Sequence, residues 1–530
     1  MTGVLLLSAS TVMVKVIGLA YKIPLLSVLG TEGMGYFNSA YEIYTVLCVI
    51  STAGIPVALS ILISGALETG DIFRAEKVYK TSFAVLCATG GVGSAALCAF
   101  ARPISLAIGN PNAYYGILAV SPALLFSCVS GAARGYFQGR RNMLPTALSQ
   151  LIEALGKLLL GVSLAVWSVG RGDSIPTASA FAVLGLVIGG FISSAYLMTL
   201  VLLDKRKNKH CLPHVAYESS GESIIFTVFR IALPITLGAS LLGVTRVIDM
   251  TLIMRRLQHI GISTSAANEI YGSYTTLALP VFSLVPALVT PVSESLIPRL
   301  SAAVEAGEPI EQRAAVEKSV RLTALLGMPS SMGMLLYSRQ ILSLIFHGQD
   351  QAVNIAAPLL AVLGASVLFS CLITTTNAIL QSYRRAFIPI VSMFLGAVVK
   401  VVSAYALIGA VGVGELGAPI STLLCNVTVV CVNMIFVDRA APRGTATSRL
   451  LIKPFFASVA AISCSVAAFV PTYRATDSDT LAFVAALACT LVAYVVFALL
   501  FGAVREEDMA SLPIIDKLYE RKINKLRSKK

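Results

Sequence analysis

Apolar residues in this chain come in long runs, separated by short clusters of glycine, proline or charge. The runs fall at 4–29, 36–67, 79–101, 113–136, 145–169, 177–203, 224–254, 270–300, 319–345, 353–382, 387–411, 416–437, 451–470 and 480–503. None shows the alternation of a half-buried strand, and each is about the 20 residues or more that a helix needs to cross a bilayer core. Lipid offers backbone amides no hydrogen-bond partner, so a spanning segment is either a helix or part of a closed barrel. The pattern predicts an all-α polytopic membrane protein with about fourteen transmembrane helices.

Charge then orients the predicted helices. Numbering the connections from 68–80 onward, every second one is basic, with Arg74, Lys77 and Lys80 in the first and Arg134, Arg140 and Arg141 in the next. Together with the tail, these connections hold 28 of the 40 lysines and arginines, against 6 in the opposite loops. That asymmetry is the positive-inside bias, and it predicts cytoplasmic N- and C-termini in a bacterial inner membrane. It also accounts for a net charge of +13 without nucleic acid, since no nucleic-acid-binding module is visible. The basic tail 505–530 is expected to lie on the anionic inner leaflet. Only 13% of residues are charged, about half the share of a soluble domain.

Nine of the ten cysteines fall inside apolar runs, where cysteine acts as a small hydrophobe. The tenth, Cys211, lies near His210 and His214 in a basic loop that lacks a fourth ligand, so no metal site is expected. The N-terminal run has no charged segment before it and continues through Lys15 and Lys22, which reads as a first span, not a removed signal peptide.

Two stretches repeat. QGRRNMLPTALSQLIEALGK (138–157) resembles QSYRRAFIPIVSMFLGAVVK (381–400), each with Gln, an Arg pair, Pro and a terminal Lys. EKVYK (76–80) likewise matches EKSVR (317–321). The repeat divides the chain into a six-helix lobe at 1–210, a second at 211–445, two further spans at 446–504 and the tail at 505–530. A parallel repeat of this kind points to a substrate path between lobes.

Nine charges inside the predicted spans stand out: Lys15, Lys22, Glu42, Glu153, Lys157, Arg246, Asp249, Glu294 and Lys400. A charge at the bilayer centre costs about 2.5–3.5 kcal/mol on insertion scales, so nine facing lipid would cost on the order of 25 kcal/mol. They are therefore expected to face protein or a wet cavity. Glu153 with Lys157 and Arg246 with Asp249 have the spacing of same-face pairs on a helix, which makes Lys157 a candidate internal pair partner. Lys15, Lys22 and Lys400 have no acid at helical spacing. The cationic excess favours an anion as cargo, with Lys15, Lys22, Arg246 and Lys400 as substrate-binding candidates. Glu42, Glu153, Asp249 and Glu294 are the cavity acids, which would balance the empty site or bind a coupling ion. Pro56, Pro234, Pro280, Pro286, Pro291 and Pro389 lie in or near the ends of spans and predict kinks, static or gating.

KVIGLAYKIPLLSVLGTEGMGYFNSAYEIYTVLCVISTAGIPVALSILISGALETG (15–70) and ARGYFQGRRNMLPTALSQLIEALGK (133–157) resemble the stage V sporulation protein B / polysaccharide biosynthesis family of the MOP exporter superfamily. Lipid II flippases of the MurJ type and MATE drug antiporters are its relatives. The resemblance implies a V-shaped pair of lobes, alternating access, and a polyprenyl-diphosphate-linked saccharide moved for cell wall or spore cortex synthesis. MurJ-type flippases carry Ser-Arg-x-x-Gly-x-x-Arg in the first span; here Lys15 keeps the first cation and Lys22 stands one place beyond the second. Lysine lacks arginine's bidentate fork. The expected partners are the lipid-linked oligosaccharide and membrane lipids, and the chain is expected to act as a monomer. No cofactor is expected beyond a coupling ion, H⁺ or Na⁺, or the membrane potential. A cation-coupled MATE-type exporter is the alternative. A membrane glycosyltransferase is disfavoured: the outward loops are short, and the Asp477-x-Asp479 spacing reads as a solvated loop.

Overall fold

The computed structural model describes residues 10, 13–208, 224–410, 412–442 and 448–504. The His210–His214 loop, the basic tail and the first residues of the N-terminal run lie outside the described residues. Every regular element among the described residues is helical. Twelve of the helical stretches are long and apolar enough to cross a membrane. These twelve overlap every predicted span but 319–345, and they meet the 4–29 run only at its end, from Lys22. The N-terminal run is only partly described, as helix over 13–20. The 319–345 run divides between the helix Pro309–Leu336, whose first half carries Glu311, Arg313, Glu317, Lys318 and Arg321, and the short helix Ser338–Ile345.

The chain packs as two units, Met1–Thr276 and Leu277–Lys530. This packing boundary falls later than 210/211, the boundary suggested by the repeat, because the helix after 224 packs within the first unit.

In the first unit, the 13–20 stretch leads into α1 (Lys22–Thr52), α2 (Ile55–Glu68), α3 (Ile72–Ala99) and the short α4 (Ala101–Ala107) and α5 (Tyr114–Val120). Next come α6 (Ala123–Gly139), α7 (Leu144–Gly170), α8 (Ile175–Asn208), α9 (Ile224–His259) and α10 (Thr264–Ser273). Gly30 breaks α1 with φ 65° and ψ 180°, a conformation that essentially only glycine adopts. Pro56 sits in the first turn of α2, where a missing N–H costs nothing. Asp71 caps α3 by accepting from the Arg74 N–H at 2.8 Å.

α7 and α8 meet through glycines. A Cβ on Gly185 would fall 2.1 Å from the Gly161 nitrogen, and one on Gly156 would fall 2.5 Å from the Gly189 Cα. Gly185 and Gly189 form the small-xxx-small stripe that lets helices touch in lipid, where no hydrophobic force drives them together. On the neighbouring helices, Asp204 of α8 accepts from the Tyr136 hydroxyl at 2.8 Å and pairs with Arg140 at 2.7 Å.

The second unit opens from a π-helical turn, Tyr274–Ala278. It contains α11 (Leu279–Glu305), α12 (Pro309–Leu336), α13 (Ser338–Ile345), α14 (Asp350–Ser382), α15 (Phe387–Ile408), α16 (Gly417–Ala440), α17 (Ile452–Thr476) and α18 (Asp479–Leu500). Pro286, Pro291 and Pro298 lie inside α11, whereas Pro280 sits in its first turn. Thr375 of α14 hydrogen-bonds Thr323 at 2.6 Å and Ser293 at 3.0 Å, joining α11, α12 and α14 where water cannot serve. The last two helices dock on α12 and α13: Tyr337 and Ser465 share a 2.8 Å hydrogen bond, and Tyr494 donates to the Leu325 carbonyl at 2.9 Å. They border a partly open apolar cavity of about 500 Å³ lined by Leu325, Pro329, Met334, Phe483 and Leu487.

Candidate functional site: a charged interior in the first unit

Five of the nine intramembrane charges converge. Lys22 of α1, Lys157 of α7, and Arg246 and Asp249 of α9 each lie within electrostatic reach of Glu42 of α1, and Lys157 also within reach of Lys22. These helices are sequence-distant, so tertiary packing assembles the cluster. Three cations face two carboxylates, which leaves the site one positive charge in excess.

Each cation is held differently. Lys22 donates to the Thr275 carbonyl at 2.8 Å. Thr275 lies in the π turn, and the residue five on from it, the partner of a π ladder, is Pro280, which has no N–H. Asn38 donates to the hydroxyls of Thr275 and Thr276, both at 2.8 Å, and braces the same turn. Arg246 is exposed, whereas Asp249 is half-buried.

Lys157 sits among aromatic rings. Its ammonium lies 4.1 Å from the Tyr41 ring centroid, 4.8 Å from Tyr21 and 5.8 Å from Phe37. A desolvated cation–π contact contributes about 2 kcal/mol, and an exposed one about half that or less. The expected Lys157–Glu153 pair is not formed. Arg134 of α6 takes Glu153 instead, at 3.0 Å, and donates through Nε to Ser149 at 3.0 Å. A planar guanidinium reaches carboxylate and hydroxyl together, which a lysine's single ammonium matches less well.

The remaining predicted residues do not join this group. Lys15 is exposed on the 13–20 stretch. Lys400 is half-buried on α15 in the second unit. Glu294 lies on α11, with its side chain outside the described residues.

Three features of the site escaped the sequence reading. Arg134, which the charge pattern places in a connection, belongs to α6 and reaches Glu153 of α7. The aromatic residues around Lys157 were visible as Phe37 and Tyr41, one turn apart on α1, but nothing in the sequence pairs them with α7. The third is a buried amide network: Asn110 donates to Ser39 at 3.1 Å and to Asn268 at 2.8 Å, tying α1 to α10. Polar residues in an apolar run are its signal. Among the described residues there is no cluster of three or more metal-ligating side chains.

A charged interior lined by spanning helices is the architecture of a transporter and not of a bilayer-anchored soluble domain. The chain is a multi-pass membrane protein with the fold of solved MOP-superfamily transporters. It belongs to the polysaccharide biosynthesis protein family, whose model matches residues 1–304; the MatE family model matches 273–406. It is 23% identical over 528 residues to stage V sporulation protein B of Bacillus subtilis (strain 168), covering 97% of this chain and 98% of that one. It is 24% identical over 455 residues to the lipid II flippase MurJ of the same organism, covering 83% and 82%. Among solved structures, lipid II flippase MurJ in an inward closed conformation superposes with a TM-score of 0.66 at 14% identity, over 94% of this chain and 98% of that one.

Proposed function

We propose that the chain is a flippase that moves a polyprenyl-diphosphate-linked saccharide, a lipid II-like precursor, from the inner to the outer leaflet for cell wall or spore cortex synthesis. The observation that carries this reading is the cluster of Lys22, Lys157 and Arg246 around Glu42 and Asp249, an interior with excess positive charge inside apolar spans. A diphosphate is the anionic head group such an interior suits, and the relation to a lipid II flippase supplies the lipid-linked cargo. The protein moves this cargo without chemical change.

Transport runs by alternating access between the repeat lobes 1–210 and 211–445. Lys22 and Arg246 meet the diphosphate, with Lys15 and Lys400 as further contacts on its route. The prenyl tail stays in lipid or against apolar surface such as the cavity beside α17 and α18. The membrane potential, worth about 2.3 kcal/mol per charge per 100 mV, acts on any net charge that crosses.

Depletion of the protein is expected to leave lipid II in the inner leaflet, where an outer-leaflet probe cannot reach it. Lys22→Gln and Arg246→Gln are each expected to lower translocation at least tenfold, with the protein still in the membrane. Unchanged translocation in both variants would remove the cluster from the cargo's path.

A MATE-type cation exporter is the second reading, favoured by the MatE match and the two acids at the junction. It requires efflux of cationic dyes that stops in Glu42→Gln and Asp249→Asn.

A further inference from the structure

Three rings around an ammonium form the chemistry that recognises cations, because their faces are electron-rich. Tyr21, Phe37 and Tyr41 supply the rings around Lys157. Tyr21 and Phe37 pack against each other, as do Phe37 and Tyr41, with centroids 5.9 and 6.0 Å apart, so the walls form one continuous aromatic surface. Tyr21 is 1% exposed, and Phe37 likewise.

A lysine that only fixed α7 in place would be expected to pair with the acid one turn away. That acid, Glu153, belongs to Arg134. The acid within electrostatic reach is Glu42, whose Oε2 is buried with no hydrogen-bond partner. A second cation, Lys22, also stands within reach of Lys157, so the ammonium stays where like charge opposes it. Aromatic faces and an unsatisfied carboxylate oxygen offset that repulsion.

We propose that Tyr21, Phe37, Tyr41 and Glu42 form a cation-binding site that the chain fills with its own Lys157, a tethered cation standing where an ion-coupled transporter would bind one from solution. Translocation then depends on the charge at position 157 and not on sodium in the medium. The binding argument is independent of the cargo; the transport arm alone rests on the flippase reading.

The test uses the purified full chain in detergent with ethylammonium as probe. Lys157→Ala vacates the site and is expected to bind ethylammonium saturably, at least tenfold more tightly than the unaltered chain by calorimetry. Adding Tyr41→Leu is expected to abolish that binding. In vesicles, Lys157→Ala is expected to lose precursor translocation and to regain at least a fifth of it with ethylammonium, a rescue that a purely structural lysine would not give. A folded Lys157→Ala that binds no ethylammonium overturns the proposal, whatever the cargo proves to be. Should the alanine variant not fold, Lys157→Met fills the space with an uncharged chain, and translocation equal to the unaltered protein's overturns the proposal. Sodium-dependent translocation by the unaltered chain overturns it as well.

Discussion

Arg134 and Glu153 show how a residue's neighbours settle its role. Their side chains are 21% and 33% exposed, between a surface pair and a fully buried one. Exposed pairs contribute about 0–1 kcal/mol, and breaking a buried one costs about 3–5. Arg134→Met strands the Glu153 carboxylate among apolar helices and is expected to cost about 1–3 kcal/mol by the same comparison, read as a lower melting temperature in detergent. Removing both charges, with Arg134→Met and Glu153→Leu together, is expected to recover most of that loss. A single variant that melts like the unaltered chain would show that the pair contributes nothing. The same pairing explains why Lys157 is available to the aromatic rings: the acid that its spacing suggests is already engaged.

At the scale of elements, broken helices do the positioning. Gly30 interrupts α1 between Lys22 and the Phe37–Glu42 stretch, so the two halves of the helix need not share one axis. Lys22 is then free to meet the Thr275 carbonyl in the π turn. Gly30→Ala places a Cβ where φ is 65°, although space there is open. The penalty is conformational and not steric crowding by neighbours, about 1–3 kcal/mol. We expect a lower melting temperature and a loss of translocation exceeding the loss of folded protein. Equal losses would assign Gly30 to stability alone. Close glycine contacts between α7 and α8 belong to the same scale, since they set the depth at which Lys157 enters the site.

For the whole molecule, the loop charges predict orientation. A fluorescent reporter that matures only in the cytoplasm, fused after Lys530, is expected to be bright, while a periplasm-active phosphatase at the same place is expected to be silent. The reverse result would invert every loop assignment and put Arg140 and Asp204 on the outer face. α17 and α18 are the last helices among the described residues. Those helices are bound into the second unit by Tyr337 and Tyr494, not appended loosely.

Much of this protein was determined by its sequence alone. Long apolar runs in a solvent without hydrogen bonds leave the backbone only helices, and charge costly to bury marks candidate positions wherever it interrupts such a run. Tertiary structure decided which of those charges meet. Glu42, Lys157 and Arg246 lie on separate helices, and no period along the chain encodes which faces of α1, α7 and α9 turn toward one another. Same-helix spacing therefore suggested Lys157 with Glu153, whereas packing gave Glu153 to Arg134 and Lys157 to three aromatic rings. Local periodicity reports the solvent of a segment; only the packed helices set its partners, because a side chain binds what stands across from it.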